Sequence, residues 1–203
     1  MMPAIQSRVA AGTPANPAII IVLSQDAVGE SLVSRANGFV EEMVRLANGA
    51  NDGGVFVTGD MPWLVQGTPG GAVEIRVIVG ASPGTVDMTN AAHGALATTG
   101  LVGIFMSNEA SVNGMIAAYV AGADVPDDLI LVGFDAGAPQ KEFVREGIFY
   151  GSVTQDPYRI GYLSVSLAVR AARGETVHDV DTGARWWNAA NMDDPEIAPL
   201  LYD

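Results

Sequence analysis

Four apolar runs in this 203-residue chain end on side chains that can both give and take hydrogen bonds. Ala18–Leu23 is followed by Ser24, Gln25 and Asp26, and Leu101–Met106 by Ser107 and Asn108. Leu129–Phe134 is followed by Asp135, and Ile148–Val153 by Thr154, Gln155 and Asp156. Arg35 lies early in the helix that follows the first of these runs and could reach the same rim as their ends. Carboxylate and amide oxygens accept from hydroxyl groups, whereas guanidinium and amide N–H groups donate to them. With the aromatic Phe134 beside them, these groups form the inventory that a neutral polyhydroxylated ligand needs. Each has a plainer reading. Ser107 and Asp156 are expected as N-caps of the helices that follow, and Arg35 as a solvated helix residue. Gln155 is a poor cap, and Gly137 already supplies a turn after Asp135, so for these two ligand contact and a structural role stand level.

Other chemistry is poorly supplied. The absence of cysteine excludes disulfides, thiolate nucleophiles and zinc–cysteine sites. His93 and His178 are far apart and lack metal-ligand spacing. There is no Gly-x-Ser-x-Gly elbow. The Val79–Gly84 stretch hints at a phosphate loop but lacks the Lys-Ser/Thr that must follow. Asp193 and Asp194 read as solvated tail charges. The chain therefore calls for no catalysis, cofactor or metal. The formal net charge is −13, with Lys141 the single lysine beside nine scattered arginines, so no basic patch exists to neutralise phosphates. Nucleic acid and anionic membrane surfaces are excluded as partners, while a neutral ligand is indifferent to that field. No apolar run reaches the length of about 18 residues that a transmembrane helix needs, and Met1–Ala11 does not read as a signal peptide.

The elements that must position the polar residues follow from periodicity. Ala18–Leu23 is unbroken and β-branched, as in a strand buried on both faces. Glu30–Leu46 places Leu32, Phe39, Met43 and Leu46 on one helical stripe. Residues 50–72 are rich in Gly and Pro and are expected to be an excursion, read as a small hairpin. Strands follow at Ile75–Val79, Leu101–Met106, Leu129–Phe134 and Ile148–Val153. Helices are expected from near Pro83 to Thr98, over Glu109–Ala121, over Pro139–Arg145 and over Pro157–Arg173. About five strand–helix alternations imply an α/β fold, an open parallel sheet with helices on both faces. Ligands of such sheets bind beyond the carboxyl ends of the strands, and that single rim would gather the residues named above. The Pro157–Arg173 helix is apolar almost all round (Tyr158, Ile160, Tyr162, Leu163, Val165, Leu167, Val169), so it is expected to dock on its own sheet or on another chain. Trp186 and Trp187 should send their rings to opposite sides of an extended segment, as packing residues.

Several segments also resemble one family. Leu131-Val132-Gly133-Phe134-Asp135-Ala136, then Glu146-Gly147, then Val153-Thr154-Gln155-Asp156-Pro157-Tyr158 with Gly161 are similar to the type I periplasmic sugar-binding proteins, the ribose-binding group. Ser34–Phe39 resembles its arginine-bearing helix motif. Ser107-Asn108-Glu109-Ala110 with Gly114 resembles its next contact segment, and Asp179–Gly183 with Asn191 its C-terminal signature. The likeness spans about residues 17–195. It implies a Rossmann-like lobe in which Arg35, Asn108, Asp135 and Gln155 hydrogen-bond a monosaccharide, pentose or hexose, flanked by Phe134. It also implies the solute-binding component of an ABC-type sugar importer, working with a membrane permease in the periplasm.

That family closes two lobes on the sugar. The resemblance places the start of this chain where the second lobe would begin, with the N-terminal lobe absent and residues 1–16 a leader or hinge remnant. Residues 17–155 would then be the sugar-binding lobe, with 50–72 as an insertion. Residues 156–203 would be a crossover helix, a strand near Val177–Asp181 and a tail, packing on the absent lobe or on a second copy. Two other functions compete. One is the effector-binding domain of a sugar-responsive repressor, against which stand the acidic charge and the lack of a helix-turn-helix. The other is a small-molecule enzyme, against which stands the missing catalytic chemistry.

Overall fold

The computed structural model describes residues 1–202. Its helices are α1 (Met2–Ala11), α2 (Glu30–Ala50), α3 (Thr85–Leu96), α4 (Glu109–Val120), α5 (Ala138–Arg145) and α6 (Pro157–Ala172). Its strands are β1 (Ala18–Ser24), β2 (Val55–Gly59), β3 (Val73–Val79), β4 (Leu101–Met106), β5 (Ile130–Phe134), β6 (Gly151–Gln155) and β7 (Ala184–Trp187). They form one sheet in the order β2-β3-β1-β4-β5-β6-β7. The first six are parallel and β7 closes the edge antiparallel to β6. The α/β fold with a parallel sheet is therefore the observed one.

β1 is central and buried along its whole length, which accounts for its unbroken apolar run. Ala18, Ile20 and Val22 face one layer with α1 and α2, among Ile5, Val9, Val40 and Met43. Ile19, Ile21 and Leu23 face the other, among Met88, Met115, Phe143 and Trp187. α3 and α4 approach closely in that second layer. A Cβ on Gly114 would lie 2.6 Å from the Met88 Cβ and 2.7 Å from the Met88 carbonyl carbon and oxygen.

Residues 1–16, expected to be a leader or hinge remnant, hold α1, which buries Ile5 and Val9, four residues apart on one stripe, in the core. Asn51 Nδ2 donates to the Val9 and Gly12 carbonyls (2.8 and 3.0 Å), and Arg8 ties α1 to the Val102 carbonyl (3.0 Å) and Asp128 (3.1 Å). Residues 50–72 are not a hairpin: β2 lies parallel to β3, joined by a crossover that holds one 3-10 turn, Pro62–Leu64, in place of a helix. Such a connection needs about a dozen residues, which 60–72 supplies. The expected strand at Val177–Asp181 is irregular and exposed, and the strand is Ala184–Trp187 instead. Finally, α6 does not dock on the sheet. None of its residues is buried, and Tyr158 and Tyr162 are 82% and 65% exposed.

Candidate functional site

The carboxyl ends of β1, β4, β5 and β6 lie side by side, so the four polar segments meet at one rim. The β1–α2 loop is built first. Ser24 Oγ donates to the Asp26 carbonyl at 3.0 Å. Asp26 Oδ1 accepts from the Val28 and Gly29 N–H groups at 2.9 and 2.7 Å, and the two bonds, Gly29 foremost, hold its carboxyl below the ordinary value. This fixes the entry to α2, the helix that carries Arg35.

Arg35 crosses the rim. One guanidinium nitrogen donates to the Ser107 carbonyl and another to Gln155 Oε1, both at 3.0 Å. Its plane lies over the Phe134 ring, 3.6 Å from the centroid. Burial pushes its pKa below the usual arginine value, while Asp135 and Tyr202 pull it upward. Phe134, expected beside the ligand, is only 8% exposed and serves as the floor under the guanidinium. Gln155 is held by Arg35 and faces an adjoining hollow of about 420 Å³ with Asp156, Arg159 and Arg185.

Asn108 is buried at the N-cap position of α4. Its backbone N–H is taken by Ser111 Oγ at 3.2 Å, and its Nδ2 donates to Gln25 Oε1 at 2.7 Å. Its buried Oδ1 has no hydrogen-bond partner. The cap falls on Asn108 and not, as expected, on Ser107, whose buried Oγ is also unpartnered. The expected cap at Asp156 is observed, with Oδ1 accepting from Arg159 N–H at 2.8 Å.

Asp135 is the one non-glycine residue of the described chain in the left-handed region, with φ 75°. Such backbone persists where surroundings over-determine it. Here the Asp135 N–H bonds the Val153 carbonyl (2.8 Å), and its carbonyl accepts from Ser152 Oγ (3.0 Å) and the Trp187 indole N–H (3.3 Å). The side chain is thereby aimed at α4, where Oδ2 accepts the Glu109 N–H at 3.2 Å. Burial pushes the carboxyl above its usual range, with Arg35 and the Glu109 N–H opposing. Arg35 and Asp135 feel each other's charge, yet no ion pair joins them among the described residues. Trp186 and Trp187 face opposite layers, as expected for packing residues.

The resulting cleft encloses about 480 Å³. Arg35, Asn108 and Asp135 line it, together with Gln25, Asp26 and Glu109. Gln25 and Asp26 were legible as strand-end residues. Glu109 was legible only as part of the segment that follows Asn108.

A family model for the periplasmic binding protein domain matches residues 73–176, just over half of the chain. A solved structure from Brachyspira murdochii, described as an ABC transporter, LacI family transcriptional regulator, is 38% identical with a TM-score of 0.81. The match covers 100% of this chain and 61% of that one. A carbohydrate transporter solute-binding protein from Agrobacterium radiobacter, in complex with D-arabinose, is 24% identical with a TM-score of 0.71, covering 98% of this chain and 63% of its own. An ABC transporter solute-binding protein from Agrobacterium vitis with bound D-fucose is 24% identical with a TM-score of 0.70, covering 98% of this chain and 62% of its own. The chain thus spans about three fifths of the solved structures it matches. No curated protein matches it.

Proposed function

Because this chain belongs to the periplasmic binding protein domain family, we propose that it is the ligand-holding part of a solute-binding protein for a bacterial ABC-type sugar importer, capturing a monosaccharide reversibly and without chemistry. The observation that carries this reading is the convergence of Arg35, Asn108 and Asp135 on one cleft. Arg35 keeps a third donor, Nε, free of intramolecular bonds. Asp135 offers a carboxylate on the same cleft, and Asn108 lines it. A sugar hydroxyl donates to the carboxylate while accepting from the guanidinium, so a polyol bridges a charge pair that the protein leaves open. Phe134 and Gln155 act through Arg35, one beneath the guanidinium and one at its edge. The sugars named for the solved relatives, D-arabinose and D-fucose among them, agree with a neutral ring of this size.

In this reading residues 17–155 hold the ligand, and residues 156–203 cross to the part of the protein that the longer relatives carry. Closure of two parts over the sugar would then give the permease a recognisable shape in the periplasm. One wall alone binds weakly, at about millimolar dissociation constant or above, because half the contacts are supplied elsewhere. NMR titration with D-arabinose and D-fucose tests this: amide shifts should centre on Arg35, Asn108 and Asp135 and vanish in Arg35→Ala. Shifts elsewhere, or unchanged affinity in Arg35→Ala, would overturn the assignment. The wording of the Brachyspira relative's description also favours a second reading, the effector domain of a sugar-responsive regulator.

A further inference from the structure

A buried chain of hydrogen bonds reaches Asp135 from behind the cleft. It begins at Gln140 on α5, 1% exposed, whose Nε2 donates to Ser152 Oγ at 2.6 Å. Ser152, on β6, is fully buried and in turn donates to the Asp135 carbonyl at 3.0 Å. Gly133 makes room for this chain. It pairs with Ser152 across β5 and β6, two residues before Asp135. A Cβ on Gly133 would overlap Gln140 Nε2 and lie 3.1 Å from Ser152 Oγ. The Gln140 amide therefore fills a slot that opens beneath the site. Its Oε1 is buried there without a hydrogen-bond partner among the described residues. An orphaned buried oxygen is unfavourable, so a residue needed only to fill that space would be apolar.

We propose that Gln140 is a positioning residue for ligand binding, holding Asp135 through the Ser152 hydroxyl. The inference rests on the carbohydrate reading above. A serine hydroxyl carries one proton and can point it at either of two acceptors. Gln140 presents an N–H to it, so the proton goes to the Asp135 carbonyl. An acceptor in that place would compete for it. A hydroxyl that accepts one bond is polarised and donates the next more strongly. That next bond falls on the one non-glycine residue of the described chain in the left-handed region, a conformation that persists where its surroundings fix it. Gln140 itself is not part of the cleft lining. Its effect on a ligand is through the direction of the Asp135 carboxylate.

Gln140→Met tests this in the whole chain, because methionine keeps the length of the side chain and removes the donor. Without sugar, the Asp135 carbonyl carbon resonance should move upfield, as for a weakened hydrogen bond. The urea midpoint should stay at or above the parent's, since the orphaned oxygen is gone. In NMR titration with D-arabinose and D-fucose, binding should weaken about 2- to 12-fold, the range for one net hydrogen bond. In a Ser152→Ala background, Gln140→Met should change neither the carbonyl resonance nor the affinity further. Additive weakening in that background, or a lower urea midpoint with affinity unchanged, would overturn the proposal. An unmoved Asp135 carbonyl in Gln140→Met, with both sugars still bound at Asp135, would refute Gln140 and leave the sugar site standing. No shifts from either sugar in the parent protein would overturn both.

Discussion

Trp187→Phe tests how the site is held. Trp187 is fully buried on β7, and its indole N–H reaches the Asp135 carbonyl at 3.3 Å. Phenylalanine keeps a ring in the core but drops that bond, which contributes about 0.5–1.5 kcal/mol. It also removes burial equivalent to about two methylenes, at about 0.8 kcal/mol each. The sum is a loss of about 2–3 kcal/mol, read by urea unfolding with far-UV circular dichroism. Ser152 Oγ still serves the same carbonyl at 3.0 Å, so the single variant leaves no orphan acceptor. Adding Ser152→Ala removes the second donor and strands a part-buried carbonyl, which costs about 1 kcal/mol or more beyond the sum of the two single effects. Strict additivity would refute the argument that one shared acceptor pins Asp135 in its left-handed conformation. The double variant should also lose sugar-induced shifts at residue 135 while keeping those at Asn108.

Asp135→Asn should stabilise the free protein at neutral pH. Burial raises this carboxyl above its unfolded value, so its contribution is fully present below the ordinary carboxylate range and is lost as pH rises through the raised value. Asparagine imitates the protonated form and tolerates positive φ; a melting temperature at neutral pH equal to or below the parent's would contradict this. Gly114→Ala should destabilise by about 1–3 kcal/mol despite the better helix propensity of alanine, because the new methyl meets the Met88 backbone; a more stable variant in the same urea assay would show that α3 can yield. Tyr162→Ala and Val165→Ala should each change stability by less than about 0.5 kcal/mol while lowering binding of an apolar dye, since both side chains lie exposed on α6. A loss above about 1 kcal/mol in either would mean that α6 is packed.

The sheet was legible because its strands obey burial rules that leave a mark on residue type. An all-β-branched run such as Ile19–Val22 suits a strand covered on both sides and little else, and its two alternating faces are the two cores observed. Strand direction put Asn108, Asp135 and Gln155 on one rim, Arg35 was within reach of it from the first helix, and the family resemblance singled out these four. What escaped was tertiary. α1 is too short and too mixed in polarity for its stripe to stand out, and β2 is a short strand whose pairing depends on a crossover without a helix. For Phe134 the sequence shows an aromatic next to Asp135 but not the guanidinium lying on its face.

The strand pairing at the sheet edge has a mechanical meaning. Gln155 is the last residue of β6 and stands in register with Ala184, the first of β7. Residues 156–183 therefore leave and re-enter the body at a single point, like a paddle on a two-ply stem. The root of that paddle is the residue whose side-chain amide steadies the Arg35 guanidinium at 3.0 Å.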